Sequence, residues 1–413
     1  MQITLYQRHL APRLKAALRD TPATLIHGPR QCGKTTLAKS VGAALNYTYL
    51  TFDDDAILAS AKSDPVGFVA NLPNRVILDE VQRVPEIFTS IKSVIDKRRT
   101  AGQFILTGSA NVLLVPKLSD SLAGRMGILR LHPLSECELT GHKPHFLQSL
   151  LRGRFSSGVF EPLGFELARQ ITRGGFPDAI KRSTASRQRA WYRDYVETHI
   201  QRDVRDLSKI RSLHTLPKLI QFAASYTSSL LNVSDLAAPF ELTRQTINDH
   251  VTLLERVFLV DLLPSWHRNH MSRLVKRPKL HLGDTGLACA IRGLDAKQLV
   301  SDKASFGAML ETFVLQELRR QSTVEADPVS FYHYRDRDDF EVDIVVEGQG
   351  NIVAGIEIKS AASVNSTDFR GLRKLKNSVG PKFSAGVVLY DGTATIRFER
   401  DLFAVPIRYL WEK

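Results

Sequence analysis

The stretch Gly28-Pro29-Arg30-Gln31-Cys32-Gly33-Lys34-Thr35-Thr36 constrains this chain more than any other. It is a glycine-bounded loop that closes on a lysine and two hydroxyl residues. The apolar run Thr24-Leu25-Ile26-His27 before it predicts a short buried strand, and Thr35 to Ala44 after it predicts a helix. That strand-loop-helix context marks a P-loop, whereas the plainer alternative is an ordinary glycine turn. In a P-loop successive backbone N–H groups point inward and the helix offers its positive end, so phosphate oxygens find donors. Lys34 is then expected on the β- and γ-phosphates of ATP and the Thr35 hydroxyl on Mg²⁺. Gly28 and Gly33 supply backbone angles and close approaches that a Cβ would block.

A second set of strands is expected to end at the same edge. Tyr47-Thr48-Tyr49-Leu50-Thr51-Phe52 alternates as a strand and runs into Asp53-Asp54-Asp55, where a helix can be capped. Arg75-Val76-Ile77-Leu78-Asp79-Glu80 is an apolar strand whose two carboxylates fit only its exposed C-terminal tip. Asp79 is placed to hold the Mg²⁺ shell and Glu80 to polarise the attacking water. Gln103 to Ser109 repeats the design with Thr107 and Ser109 at its end, where one of them can reach the γ-phosphate or the water. Ile128-Leu129-Arg130-Leu131 makes a fifth strand. Before it stands Leu122-Ala123-Gly124-Arg125, whose arginine either offsets charge on the transferred phosphoryl group or is a surface arginine in a loop.

These motifs, together with Ile77 to Gln82 and Pro133-Leu134-Ser135, resemble in content and order a prokaryotic AAA+ ATPase family. Its members carry a C-terminal domain of unknown function related to restriction endonucleases. The resemblance continues nearly to the chain end. It implies ATP binding, a five-stranded core, Asp79 and Glu80 as the Walker B pair, a sensor at Thr107 or Ser109, and scope for ring assembly as a homo-oligomer. Arg173-Gly174-Gly175-Phe176-Pro177-Asp178, a turn by composition, and Pro278 to Leu287 are further points of resemblance.

The 413 residues allow two or three cores. Lys and Arg outnumber Asp and Glu by 56 to 43, a net charge of +13 that favours a polyanionic partner, nucleic acid first. The three cysteines, Cys32, Cys137 and Cys289, show no paired spacing, which fits a reducing cytoplasm and indicates neither zinc nor disulfides. No apolar run is long enough to cross a bilayer, so no membrane role is expected.

Four domains are expected: the ATPase core over 1–135, a helical lid or linker over 136–215, a winged-helix-like domain over 216–300, and a nuclease-like domain over 301–413. From Arg187 to Arg211 both charge signs are interspersed on a helix, which predicts a solvated face. Ser234 to Ala237 and Thr243 to Leu254 read as two short helices with a turn between them. Thr243 caps the second, whose Ile247, Val251 and Leu254 share one face, while Arg244, Gln245 and Asn248 project from the other near its N-terminus. A DNA recognition helix uses those positions. The apolar Val257 to Val260 and the basic Arg268 to Lys279 are expected to form the wing. Five Lys or Arg and no acidic residue lie between Pro264 and Leu280, with Arg273, Lys276, Arg277 and Lys279 as phosphate contacts. Protein docking is the competing role.

In the last region a helix over Leu310 to Leu318 precedes strands over Phe331 to Tyr334, Glu341 to Val346 and Asn351 to Lys359. A hairpin would bring Asp343 beside Glu357, and alternation turns Glu357 and Lys359 the same way. With Glu311 from the helix, these carboxylates are expected to hold Mg²⁺ while Lys359 offsets charge on a phosphodiester. The pattern resembles the PD-(D/E)xK nuclease core, whether active or retained as an inactive fold. Two functions remain open: an ATP-dependent DNA-acting protein with a metal-dependent nuclease, or a nucleotide-gated regulator or scaffold that works through a protein partner and cuts nothing.

Overall fold

Alternation within the apolar runs decides which side chain faces which layer of the first sheet, because neighbours along a strand point to opposite faces. The computed structural model describes residues 6–109, 124–199, 215–237, 241–269, 271, 273 and 276–412. Two compact units divide the chain: Met1–Leu134 with Leu253–Leu259, and Ser135–Thr252 with Val260–Lys413.

In the first unit, β1 (Ala23–His27), β2 (Thr48–Thr51), β3 (Val76–Asp79), β4 (Phe104–Gly108) and β5 (Met126–Arg130) form an all-parallel sheet in the order β2-β3-β4-β1-β5. Leu25, Leu78 and Leu106 pack with Phe88, Ile91 and Ile95 on one face. Ile26, Ile77 and Ile105 pack with Leu14, Leu37 and Val41 on the other. Both faces are thus covered by helices, which is why the strands read as unbroken apolar runs. The expected five strands and the helix after the loop, Lys34–Ala43, are all present. Asp54 caps the helix Asp55–Ser63, accepting from Ala56 N at 2.9 Å and Ile57 N at 3.2 Å.

The second unit opens with helices Glu136–Thr140, Phe146–Arg152, Phe165–Arg173 and Ala185–His199. A small antiparallel sheet follows, in the order β6-β8-β7, from β6 (Ser229–Leu230), β7 (Val260–Leu263) and β8 (Lys279–Leu282). The helix Arg244–Arg256 has Thr243 at its start, whose hydroxyl accepts from Thr246 N at 3.1 Å, and it buries Ile247, Val251 and Leu254 as the periodicity required.

The last sheet is mixed and six-stranded, in the order β13-β14-β12-β11-β10-β9. β9 (Ser330–Arg335), β10 (Glu341–Glu347) and β11 (Val353–Ile358) pair antiparallel in turn. β12 (Phe383–Tyr390) and β14 (Leu402–Pro406) extend it in parallel, and β13 (Ile396–Glu399) closes one edge antiparallel. These last three strands and the helix Arg370–Val379 were not anticipated from sequence. That helix packs Leu372 and Leu375 into the core with Val342, Val345 and Val388.

Candidate functional site

The loop after β1 turns through left-handed backbone at Gly28 (φ 155°), Gln31 (φ 58°) and Gly33 (φ 101°). A Cβ on Gly28 would stand 2.0 Å from Leu131 O, so only glycine lets the loop pass the end of β5. Lys34 is buried, and its ammonium donates to Gly28 O at 3.0 Å and Pro29 O at 2.7 Å. Gln31 and Thr36 are exposed, and Arg30 is half-buried. Burial raises the Cys32 thiol pKa, and the thiol donates to Leu131 O at 3.4 Å; it packs as a small filler rather than a reactive group. Arg8, which no motif singles out, braces the loop by donating to Cys32 O and His132 O, each at 2.6 Å.

β3 ends beside this loop. Asp79 accepts from the Thr35 hydroxyl at 3.0 Å through each carboxylate oxygen, from the Tyr49 hydroxyl at 2.8 Å, and from the Thr107 hydroxyl. Burial, and then the bond to Asp79, push Tyr49 up to about 12, so its phenol stays protonated and donates. Glu80 sits in the left-handed region at φ 59°. Its N–H donates to Thr107 Oγ1 at 3.3 Å, and its carboxylate accepts from Ser109 Oγ at 2.9 Å and from the Gln82 amide. The hydroxyl ends of β4 are therefore hydrogen-bonded to both carboxylates at the tip of β3. A hydroxyl and a carboxylate in direct contact beneath a lysine-bearing loop are a donor set suited to Mg²⁺ and a nucleotide phosphate. Sequence reasoning gave no role to Tyr49 or Gln82.

Arg125 lies elsewhere. It precedes Met126, which pairs with Ala23 at the start of β1, whereas the loop leaves the other end of β1, where His27 pairs with Arg130. Five residues of strand separate the two edges by about 15 Å. Arg125 instead pairs with Asp96, at 2.5 Å through Nε. Its placement corrects any expectation that it reaches the phosphates bound by its own chain. Leu122 and Ala123 lie outside the described residues, as do Gln201 to Val204 of the charged helix.

Two of the expected DNA contacts also need correcting. Lys279 is buried, its ammonium 2.9 Å from Glu311 Oε1 and 3.8 Å from Asp343 Oδ1. Arg273 pairs with Glu347 at 2.8 Å and lies over the Trp266 and Tyr332 rings. Neither cation is turned to solvent: Arg273 is drawn to Glu347 and Tyr332 of the last sheet, and Lys279 to Glu311 and to Asp343. Arg244, Gln245, Asn248, Lys276 and Arg277 are exposed.

In the last sheet Ile344 pairs with Ile356, which sets Asp343 and Glu357 one step further along the same hairpin. Asp343 Oδ2 accepts from Ile358 N at 2.9 Å, and Lys359 Nζ lies 3.1 Å from Glu357 Oε1. Glu311, from the helix Lys303–Ser322, takes Lys279 and the Ser228 hydroxyl. Burial first, and then the Asp343 charge, raise Glu311 to about 7 and Glu357 to about 8. Burial works against the Lys279 charge, but Glu311 and Asp343 outweigh it and hold its pKa above the usual lysine value. The three carboxylates were expected to share one divalent ion. Among the described residues no group of three or more His, Cys, Asp or Glu side chains is disposed to hold a metal.

The motifs left without a role come together in the second unit. Asp284 accepts from Gly175 N at 2.8 Å and Leu287 N at 3.1 Å, and pairs with Arg320 at 2.9 Å. Arg320 also pairs with Glu317 at 3.0 Å, and Glu317 accepts from Glu136 N at 2.9 Å. A Cβ on Gly174 would stand 2.2 Å from Asp284 Oδ1 and 2.3 Å from the Tyr192 hydroxyl.

Residues 20–140 match the family described as AAA domain. The front of the chain is thus similar to that family. Residues 164–298 and 306–410 match two domains of unknown function, DUF8612 and DUF4143. Uncharacterized proteins of Mycobacterium tuberculosis and Mycobacterium bovis are each 28% identical over 401 residues, 97% of this chain and 83% of theirs. A Walker-type ATPase of Pyrococcus abyssi has a similar structure at 15% identity, covering 70% of this chain and 97% of that one with a TM-score of 0.46. No helix among the described residues is long and apolar enough to cross a membrane.

Proposed function

We propose that the AAA domain binds and hydrolyses ATP with Mg²⁺ and drives a DNA-bound state of the chain. The observation that carries this reading is the direct contact of the Thr35 hydroxyl with Asp79, 3.0 Å to each oxygen, beneath the loop bearing Lys34. Lys34 exchanges the Gly28 and Pro29 carbonyls for phosphate oxygens. Thr35 and Asp79 hold the metal, Glu80 orients the water, and Thr107 and Ser109 fix the two carboxylates. Mg²⁺ supplies charge neutralisation at the phosphates. Arg125, at the opposite edge, serves the nucleotide of a neighbouring copy in a homo-oligomer. Lys34→Ala is expected to lower ATP turnover by at least about 10²-fold at every protein concentration, since an electrostatic anchor is lost. Arg125→Ala is expected to lose only the part of turnover that rises with protein concentration. Wild-type turnover in Lys34→Ala would refute the site.

DNA is the partner supported by the +13 charge, by exposed Arg244, Gln245 and Asn248 at a capped helix N-terminus, and by exposed Lys276 and Arg277. Wild type should show a steep loss of DNA affinity with salt, and replacing Lys276 and Arg277 by Ala should reduce the log–log slope by about 2. Salt-insensitive binding would favour a protein partner.

A second reading is favoured by the ion pairs of Lys279 with Glu311 and Asp343: the DUF4143 domain binds without cutting. Cleavage of DNA in Mg²⁺ by wild type, and its loss in Asp343→Ala, would overturn it.

A further inference from the structure

We propose that the Lys279 ammonium is the resident cation of the carboxylate cluster formed by Glu311, Asp343 and Glu357, and that the cluster takes up no divalent ion while Lys279 is seated there. This deepens the non-cleaving reading above.

Lys279 opens β8, a strand of the small sheet, and reaches from it to the helix carrying Glu311 and the hairpin carrying Asp343. Its nitrogen lies 2.9 Å from Glu311 Oε1 and 3.8 Å from Asp343 Oδ1, between two of the oxygens a divalent ion would need. The side chain is buried, with Ser228 on the other Glu311 oxygen and His281 Nε2 3.9 Å from Oε1. Burial and the Lys279 charge keep His281 well below the usual histidine range, so it brings no second positive charge.

Two ammonium groups already sit on these carboxylates: Lys279 on Glu311 and Asp343, and Lys359 3.1 Å from Glu357 Oε1. A divalent ion entering here would face an ammonium at hydrogen-bond distance from its own ligand. That repulsion persists until Lys279 leaves, and a buried lysine that leaves strands Glu311 unpaired.

The test uses the full chain without nucleotide and counts bound Mn²⁺ by electron paramagnetic resonance in wild type, Lys279→Met, Lys279→Arg, Asp343→Asn and the Lys279→Met/Asp343→Asn double variant. Comparison with Asp343→Asn removes any ion held by the AAA domain. Wild type and Lys279→Arg are expected to bind no Mn²⁺ beyond the Asp343→Asn count. Lys279→Met is expected to gain one ion, at least about tenfold tighter than any uptake by wild type, and the double variant to lose it. An Asp343-dependent ion in wild type overturns the proposal, and so does a Lys279→Met chain with wild-type circular dichroism that gains none. Should Lys279→Met not fold, wild type against Asp343→Asn decides alone. Metal-dependent DNA cleavage by wild type would retire the non-cleaving reading, whereas only the ion count bears on the resident cation.

Discussion

Glu80→Gln should lower ATP turnover by about 10²–10⁴-fold, the contribution of a positioned general base, while leaving ATP affinity within a few-fold of wild type. The substitution preserves shape, so binding survives. Its target is a residue whose backbone lies in the left-handed region at φ 59°, uncommon for a side chain that is not glycine. Such a conformation persists only where neighbours over-determine it. Here the N–H is tied to Thr107 and the carboxylate to Ser109 and Gln82, which aims the side chain while fixing it. Single-turnover hydrolysis measured beside equilibrium binding of a fluorescent ATP analogue separates the two effects. Turnover within tenfold of wild type would remove Glu80 from the base role, and a parallel loss of affinity would make its role structural.

The loop and the strand tip that meet at the candidate site were legible because their signals are local. Glycines, a lysine and a hydroxyl within one loop, and carboxylates at the end of an apolar run, state their placement through strand period and loop chemistry. The hairpin joining Asp343 to Glu357 was legible for the same reason, since strand alternation fixes which residues meet. Lys279 was not. A run of five cations with no acid reads as surface, yet linear charge carries no information on which cation turns inward, and the partner Glu311 stands 32 residues away. Tyr49 read only as a strand residue because its partner, Asp79, meets it only across the sheet edge. The strands after Lys359 carry no chemical motif, only apolar runs such as Val387-Val388-Leu389 and Ala404-Val405, so nothing in their residues ties them to a site.

Asp284→Ala should cost the second unit about 3–5 kcal/mol, the range for breaking a buried ion pair from one side. Asp284 is fully buried and bonds three groups at once: the Arg320 guanidinium at 2.9 Å, Gly175 N at 2.8 Å and Leu287 N at 3.1 Å. Truncation leaves Arg320 with Glu317, strips the helix Thr285–Arg292 of its cap, and orphans a buried amide of the glycine pair. Arg320 feels the loss most: burial opposes its charge, and Glu317 and Asp284 together outweigh that and raise its pKa. With one carboxylate gone, Glu317 must carry the guanidinium alone, although burial has already raised Glu317 to about 7. Asp284→Asn separates the contributions, because its amide oxygen still accepts from Gly175 or Leu287 while the charge is lost. A thermal melt should fall by roughly 5–15 °C in Asp284→Ala and by less in Asp284→Asn. Gly174→Ala should destabilise through the same place, since its Cβ would stand 2.2 Å from the Asp284 carboxylate. A melt of Asp284→Ala within about 2 °C of wild type would mean that Arg320 finds compensation elsewhere, and that the Gly-Gly-Phe-Pro turn and the Asp-Thr-Gly turn are not held together by this carboxylate.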